Sequence, residues 1–382
     1  MIYFDNSATT RPLPSVLDTY RTVAEDFFGN PSSLHNLGDR ARAVVEQSRG
    51  QIAQLIRAKQ NEIYFTSCGT EGDNWIIKGT AMAKRKFGKH LITTTIEHPA
   101  VRNTMKQLEE LGFDVTYIPV DERGFVNPAD VKAALRDDTI LVSVMAVNNE
   151  VGSIQPIAEI GDILEDYPTV HFHVDAVQAA GKGVLDMLRH PRVDFLTFSG
   201  HKFHAPRGTG FIYAKEGRVI APLLAGGGQE KDWRSGTENT PGIAAMAKAL
   251  RLTFDDEAAK VARQQAIREE IVQHVQQFDH VHMFSGLGKD FAPHILTMSI
   301  GGVRGETIVH AFENEGVYMS TTSACSSRSG DESSTLKAMN VDSKLAESAF
   351  RISLDEDNTM EEAKQFEKAF DKVFAGFNRM RK

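Results

Sequence analysis

Between about residue 36 and residue 252, short apolar runs alternate with stretches whose apolar positions recur every three or four residues. Residues 63–65, 91–94, 115–118, 140–144, 171–174 and 195–198 read as strands, because β-branched and aromatic runs bounded by polar residues suit a buried pleated surface. Leu37, Ala41, Val44, Val45, Ile52, Leu55 and Ile56 share one face of a helix. Strand and helix in alternation predict βαβ units around a mainly parallel sheet. From about residue 253 the pattern changes to long charged helices, short strands near residues 296–300, and a final helix. In that last helix Phe366, Phe370, Phe374 and Phe377 fall on one stripe, as in a helix that faces a core. The pattern therefore predicts a large α/β domain followed by a smaller α+β domain.

Composition narrows the class without naming it. The 382 residues are 41% apolar and 25% charged, ordinary values for a folded chain of about two domains. Fibrous and disordered readings fall away. The formal charge of −8 disfavours the clustered cations that bind phosphate backbones, so no direct contact with nucleic acid is expected. Only two cysteines occur, Cys68 and Cys325, too few for a disulfide framework or a four-cysteine zinc site. A reducing, cytoplasmic setting fits. The N-terminus lacks a basic stretch followed by an apolar core, and no apolar run reaches membrane length, so neither export nor a membrane span is expected.

The strand ends carry residues too specialised for turns. Ser199-Gly200-His201-Lys202 follows the strand ending near residue 198, and in open α/β sheets ligands sit beyond the carboxyl ends of strands. A lysine there can hold a carbonyl as a Schiff base, although a solvated lysine is the commoner use of that residue. Asp175 ends another strand and would enter the same crevice, where pyridoxal phosphate needs an acid beside its ring nitrogen. Its plainer role would be to cap a helix over residues 176–180. Residues 66–74 place small residues at a helix start, a phosphate cradle without the glycine spacing of a dinucleotide site. His98 follows a fourth strand end, where an imidazole can stack on a ring or move protons. His171 and His173 point to one face of a strand, but no third ligand follows at metal spacing, so no metal is expected. Cys325 lies in a small, polar stretch that offers nothing to bury it and reads as a chemical thiol, whereas Cys68 reads as a packing residue.

In chain order, these segments resemble a cysteine desulfurase of the NifS/IscS type, within the class V, fold-type I family of pyridoxal-phosphate enzymes. The resemblance covers nearly the whole chain. It rests on Asp5-Asn6-Ser7-Ala8-Thr9-Thr10, Gly29-Asn30-Pro31-Ser32-Ser33 and Phe65-Thr66-Ser67-Cys68-Gly69-Thr70-Glu71 in the first part. It continues with Glu97-His98, Val147 to Gly152, His173 to Gln178, Ser199 to Lys202, Arg234-Ser235-Gly236-Thr237, Ser323-Ala324-Cys325 and Phe350 to Ser353. The resemblance implies an α/β fold with a mainly parallel seven-stranded sheet. It also implies a large cofactor domain over residues 13–252, and a small domain made of residues 1–12 and 253–382 that carries the cysteine loop.

The same resemblance assigns roles. Lys202 bears the cofactor, Asp175 pairs with its ring nitrogen, His98 stacks on the ring, and Gln178 and Asn149 approach the ring hydroxyl. Gly69, Thr70, Ser199, Gly200 and His201 surround the phosphate, with Thr237 reaching over from a second subunit of a homodimer. Arg351 clamps the substrate carboxylate, with Asn149 nearby. L-cysteine would then give alanine and a persulfide on Cys325, whose ionisation His98 would assist. Two residues depart from the family pattern: Gly69 stands where alanine is usual, and Cys68 where glycine is common. The chain ends soon after its last helix, which points away from general iron–sulfur assembly on a scaffold and toward a dedicated acceptor protein such as a tRNA-thiolation enzyme. The competing readings are a selenocysteine lyase, another class V lyase or aminotransferase, and a silent sulfur-relay partner that kept the fold.

Overall fold

The computed structural model describes residues 1–322 and 334–381. A two-residue strand, β1 (Ile2–Tyr3), precedes the strands of the central sheet. These are β2 (Ile63–Thr66), β3 (His90–Thr94), β4 (Asp114–Ile118), β5 (Thr139–Met145), β6 (His171–Asp175), β7 (Phe195–Ser199) and β8 (Gly210–Ala214). They form one seven-stranded sheet in the order β2-β8-β7-β6-β5-β3-β4, in which only β8 runs against its neighbours. All seven residues of β5 are buried, as expected of a strand covered by helices on both faces. Each strand read from the sequence is present. The antiparallel β8 and the helix Pro14–Asp26 were missed, the latter because its polar residues dilute its periodicity and only Val16 and Val23 are buried.

The expected first helix is Asn36–Ile56, and Ala41, Val45, Ile52 and Ile56 point into the core as predicted. A second sheet, in the order β12-β13-β10-β9, is antiparallel: β9 (Val281–Met283), β10 (Ile295–Ile300), β12 (Ser320–Thr321) and β13 (Ala349–Ser353). The strand β11 (Val317–Tyr318) pairs instead with β1. The final helix, Met360–Arg381, buries its phenylalanine stripe in the core it shares with this second sheet, against Phe4, Phe278 and Phe312. Phe366 stacks on Phe312 at 5.4 Å between ring centres. Cutting either ring back to alanine removes about 3–5 kcal/mol. Ile2 and Phe4 are buried in this second core, so the N-terminus crosses from one packing unit to the other within a dozen residues. Among the described residues no helix is long and apolar enough to cross a membrane.

Candidate active site

Strands β2 to β7 run in the same direction, so their carboxyl ends open on one edge of the sheet. Beyond β7 the chain turns back toward β8. Gly200 N–H donates to the Thr209 carbonyl at 2.9 Å to close that loop. A Cβ on Gly200 would lie 2.3 Å from Thr209 Oγ1, so glycine permits the close approach. Lys202 stands inside the loop and its Nζ donates to the carbonyl oxygens of Ser7 at 2.6 Å and Ala8 at 2.9 Å.

The N-terminal segment braces the lysine loop further along. Thr10 donates to the His201 carbonyl through its N–H at 2.9 Å and its Oγ1 at 3.0 Å. His204 N–H donates back to Thr10 Oγ1 at 2.7 Å. His204 holds a φ of +65°, a left-handed conformation that costs a residue with a Cβ about 1 kcal/mol or more. Its ring compensates, with Nδ1 2.8 Å from the Arg11 carbonyl and Nε2 3.3 Å from Glu356 Oε2. Glu356 also pairs with Lys182 at 3.3 Å.

Asp175 closes β6, and its Oδ1 accepts the Val177 N–H at 2.9 Å. Residues 176–180 form turns rather than the capped helix that was the alternative reading of this aspartate. Burial, reinforced by the nearby Asp73, pushes the Asp175 carboxyl up to about 7. Asp73 is raised to about 7 by its own burial, and Glu97 to about 8 for the same reason. Glu97 Oε1 accepts from Thr94 Oγ1 at 2.7 Å and from Met145 N–H at 3.0 Å, tying the turn before His98 to the end of β5. The three acids are too desolvated to ionise together, so the one that meets a cation keeps the negative charge. His173 sits among them, with Nδ1 2.9 Å from Ser143 Oγ and Nε2 3.0 Å from Thr197 Oγ1. His171 Nδ1 lies 3.1 Å from Thr80 Oγ1, so both histidines of β6 bond to hydroxyls.

His98 begins the helix Pro99–Glu110, where its Nδ1 accepts the Ala100 N–H at 3.1 Å. Burial, with the charge of Lys202, lowers its pKa to about 4, so the ring is neutral at pH 7. With Nδ1 occupied as acceptor, the proton sits on Nε2. His98 therefore offers a flat face and a donor.

The helix Gly69–Lys84 starts at Cys68 with no side-chain cap, which leaves its first amides directed at the site. A Cβ on Gly69 would stand 2.8 Å from Val177 Cγ2 and 3.3 Å from Ser199 Cβ. Glycine at this position thus lets the helix start, with its free amides, approach Ser199, the kind of helix N-terminus that can hold a phosphate. Thr70 is exposed beside it, while His201 Nδ1 lies 3.2 Å from Thr9 Oγ1. Gln178 is engaged at both ends, its Nε2 with the Ser7 carbonyl at 3.0 Å and its Oε1 with His294 Nε2 at 3.2 Å.

Arg351, in the middle of β13, comes from the other sheet. Its Nη1 donates to the Asn149 carbonyl at 2.7 Å and its Nη2 lies 3.3 Å from Asp5 Oδ1. Thr237 is exposed, on a segment secured by Arg234, whose Nε donates to Glu71 Oε1 at 2.7 Å. Cys325 lies outside the described residues. Cys68 is partly buried, with its sulfur 3.7 Å from Ser67 Oγ. Sequence reasoning missed the roles of Asp73, Glu97, His204 and Glu356. Glu97 alone had a legible signal, an acid placed next to a strand-end histidine.

The sequence pattern of the family described as "Aminotransferase class-V" matches residues 2–366. The chain belongs to that family. Its members depend on pyridoxal 5′-phosphate, and the helix start at Gly69, Asp175, His98 and Lys202 fit that cofactor. A family relative from Lactobacillus delbrueckii subsp. bulgaricus, named NifS/IcsS protein homolog, is 56% identical over 380 residues, covering 100% of this chain and 99% of the relative. Another, named cysteine desulfurase IscS, from Clostridium botulinum, is 41% identical and covers 94% of this chain and 91% of its own. Among solved structures, one described as a NifS-like protein superposes with a TM-score of 0.92 at 38% identity, covering 98% of this chain and 99% of its own.

Proposed function

We propose that this class-V aminotransferase family member is a pyridoxal-phosphate-dependent cysteine desulfurase that passes the sulfur of L-cysteine to Cys325. The observation that carries the reading is the convergence of Lys202, Asp175 and His98 on one sheet edge, with Arg351 brought in from the second sheet. Relatives named for this activity, similar over most of the chain, support it.

Pyridoxal phosphate, when bound, supplies an electron sink for charge developing at the substrate Cα. Gly69, Thr70, Ser199 and His201 would hold the phosphate, with Gly200 giving the backbone room to turn. Asp175, poised near neutrality, would ionise opposite the cofactor's ring nitrogen and favour its protonated form. Gln178 and Asn149 would lie toward the cofactor's ring hydroxyl, and the neutral His98 would cover the ring without adding a third positive charge next to Lys202 and Arg351. Lys202 would bind the cofactor and, once freed by the substrate amine, move the Cα proton. Arg351 receives the substrate carboxylate through its planar fork.

The Cys325 thiolate attacks the substrate sulfur, the Cβ–S bond breaks toward carbon, and a proton completes alanine. One L-cysteine and one thiol thus give one alanine and one persulfide, with no external oxidant. The outer sulfur then leaves to an acceptor protein, either a tRNA-thiolation enzyme or an iron–sulfur scaffold. We also assign a homodimer: Thr237 is exposed on its own chain, as a residue that completes a partner's phosphate site must be. A cytoplasmic location accords with the cysteine usage. The test is turnover of L-cysteine in the presence of excess dithiol, which reduces the persulfide and frees its outer sulfur as sulfide, with alanine and sulfide measured together. Equal amounts of both, lost in Cys325→Ser, are expected. Full sulfide release by Cys325→Ser would favour a lyase that needs no cysteine.

A further inference from the structure

Arg351 is buried, yet its guanidinium is only partly committed. Nη1 is taken by the Asn149 carbonyl and Nη2 by Asp5, while Nε has no hydrogen-bond partner among the described residues. A guanidinium grips a carboxylate best through two parallel N–H bonds along one edge. The edge left for such a grip is Nε with the second hydrogen of Nη2.

Asp5 is fixed independently of Arg351. Its segment runs alongside the end of β13 in a parallel bridge to Ser353, with Ser353 N–H donating to the Phe4 carbonyl at 2.7 Å. Asn6 N–H donates to the Ser353 carbonyl at 3.1 Å and Ser7 N–H to Ser353 Oγ at 2.9 Å. The Ser7 and Ala8 carbonyls of the same segment hold Lys202. One short piece of main chain therefore sets the guanidinium relative to the lysine.

We propose that Asp5 is a positioning residue for amino-acid recognition: it anchors Nη2 and, with the Asn149 carbonyl on Nη1, turns the Nε–Nη2 edge of Arg351 toward the substrate carboxylate. This rests on the reading of Arg351 as the carboxylate-binding residue. Without Asp5, the buried cation loses the carboxylate paired with it, and its long side chain loses the contact that fixes its rotation. Ligands that carry an α-carboxylate then bind weakly, whereas an amine that lacks one is unaffected.

The experiment uses the holoenzyme and its Asp5→Ala, Asp5→Asn and Arg351→Ala variants, with cofactor content and thermal denaturation compared first. Binding of L-alanine, which keeps the carboxylate, and of cysteamine, which lacks it, is followed by calorimetry and by the visible absorption of the bound cofactor. Asp5→Ala is expected to weaken L-alanine about ten- to a hundredfold, as for a lost charge-assisted hydrogen bond, and to leave cysteamine within about twofold. KM for L-cysteine should rise more than kcat falls. Asp5→Asn, nearly isosteric and still an acceptor, should fall between, and serves if the alanine variant folds poorly. Unchanged L-alanine binding in both Asp5 variants, with a loss in Arg351→Ala, overturns the role of Asp5 alone. Unchanged binding in Arg351→Ala overturns the underlying assignment of Arg351. Equal weakening of both ligands makes Asp5 a structural support and also overturns the proposal.

Discussion

Lys202 Nζ donates to the main-chain oxygen of Ser7 at 2.6 Å, although 195 positions separate the two residues. The acceptor is a main-chain carbonyl, so the N-terminal segment itself fixes where the lysine ammonium sits. Replacing Lys202 by alanine is expected to reduce turnover about 10³-fold or more, as for loss of a residue that acts both covalently and as a base. Borohydride should then no longer fix the cofactor to the chain. Retained turnover in a variant with normal cofactor content would show that Lys202 is not the reactive lysine.

Much of this arrangement is legible in the sequence, because each strand-end residue follows an unbroken apolar run. The run before Ser199 marks Lys202, and the run before Asp175 marks its carboxylate. The contacts that hold them are not legible. Ser7 acts through its carbonyl, which any residue possesses, and His204 meets Glu356 across more than 150 positions with no local pattern. Strand β8 was missed for a related reason: it is short, and its antiparallel direction is set by the loop closure at Gly200 rather than by its own composition.

Asp175 should be needed in its ionisable form. Asp175→Asn keeps the size and an oxygen acceptor for Val177 N–H but cannot balance a protonated ring nitrogen. A fall in kcat of about 10²-fold or more is expected, with the cofactor still bound. Steady-state kinetics at matched cofactor occupancy checks this, and an unchanged kcat would remove Asp175 from the electron-sink role.

Glu97 makes stability depend on pH with a defined sign. Burial raises its folded pKa to about 8 from an ordinary value of 4.5, so the folded state holds a proton that the unfolded chain releases between those values. Its contribution is full below about pH 4.5 and is lost as pH rises toward 8. Glu97→Gln removes that titration and keeps the acceptor for Thr94 and Met145. The decline in Tm between pH 5 and pH 8 should be smaller in Glu97→Gln than in the parent, by on the order of 5 °C. Parallel pH curves would contradict the buried neutral acid.

Glu356 carries the opposite sign. Burial alone would raise it, but the ammonium of Lys182 and the ring of His204 hold it well below the usual carboxylate range. Its contribution is present above its unfolded pKa and is lost as pH falls through the folded one. Glu356→Ala leaves Lys182 buried without its carboxylate and should lower stability at pH 7 by about 3–5 kcal/mol. Urea unfolding at pH 7 and pH 4 checks this, with the smaller loss expected at pH 4.

The most direct measurement is the mass of the peptide that contains Cys325 after brief exposure of the holoenzyme to L-cysteine, with reductant removed and thiols alkylated. One extra sulfur atom on Cys325, absent from Cys68 and absent in Lys202→Ala, is the expected result. Sulfide and alanine formed at full rate with no sulfur ever added to Cys325 would contradict transfer through this cysteine.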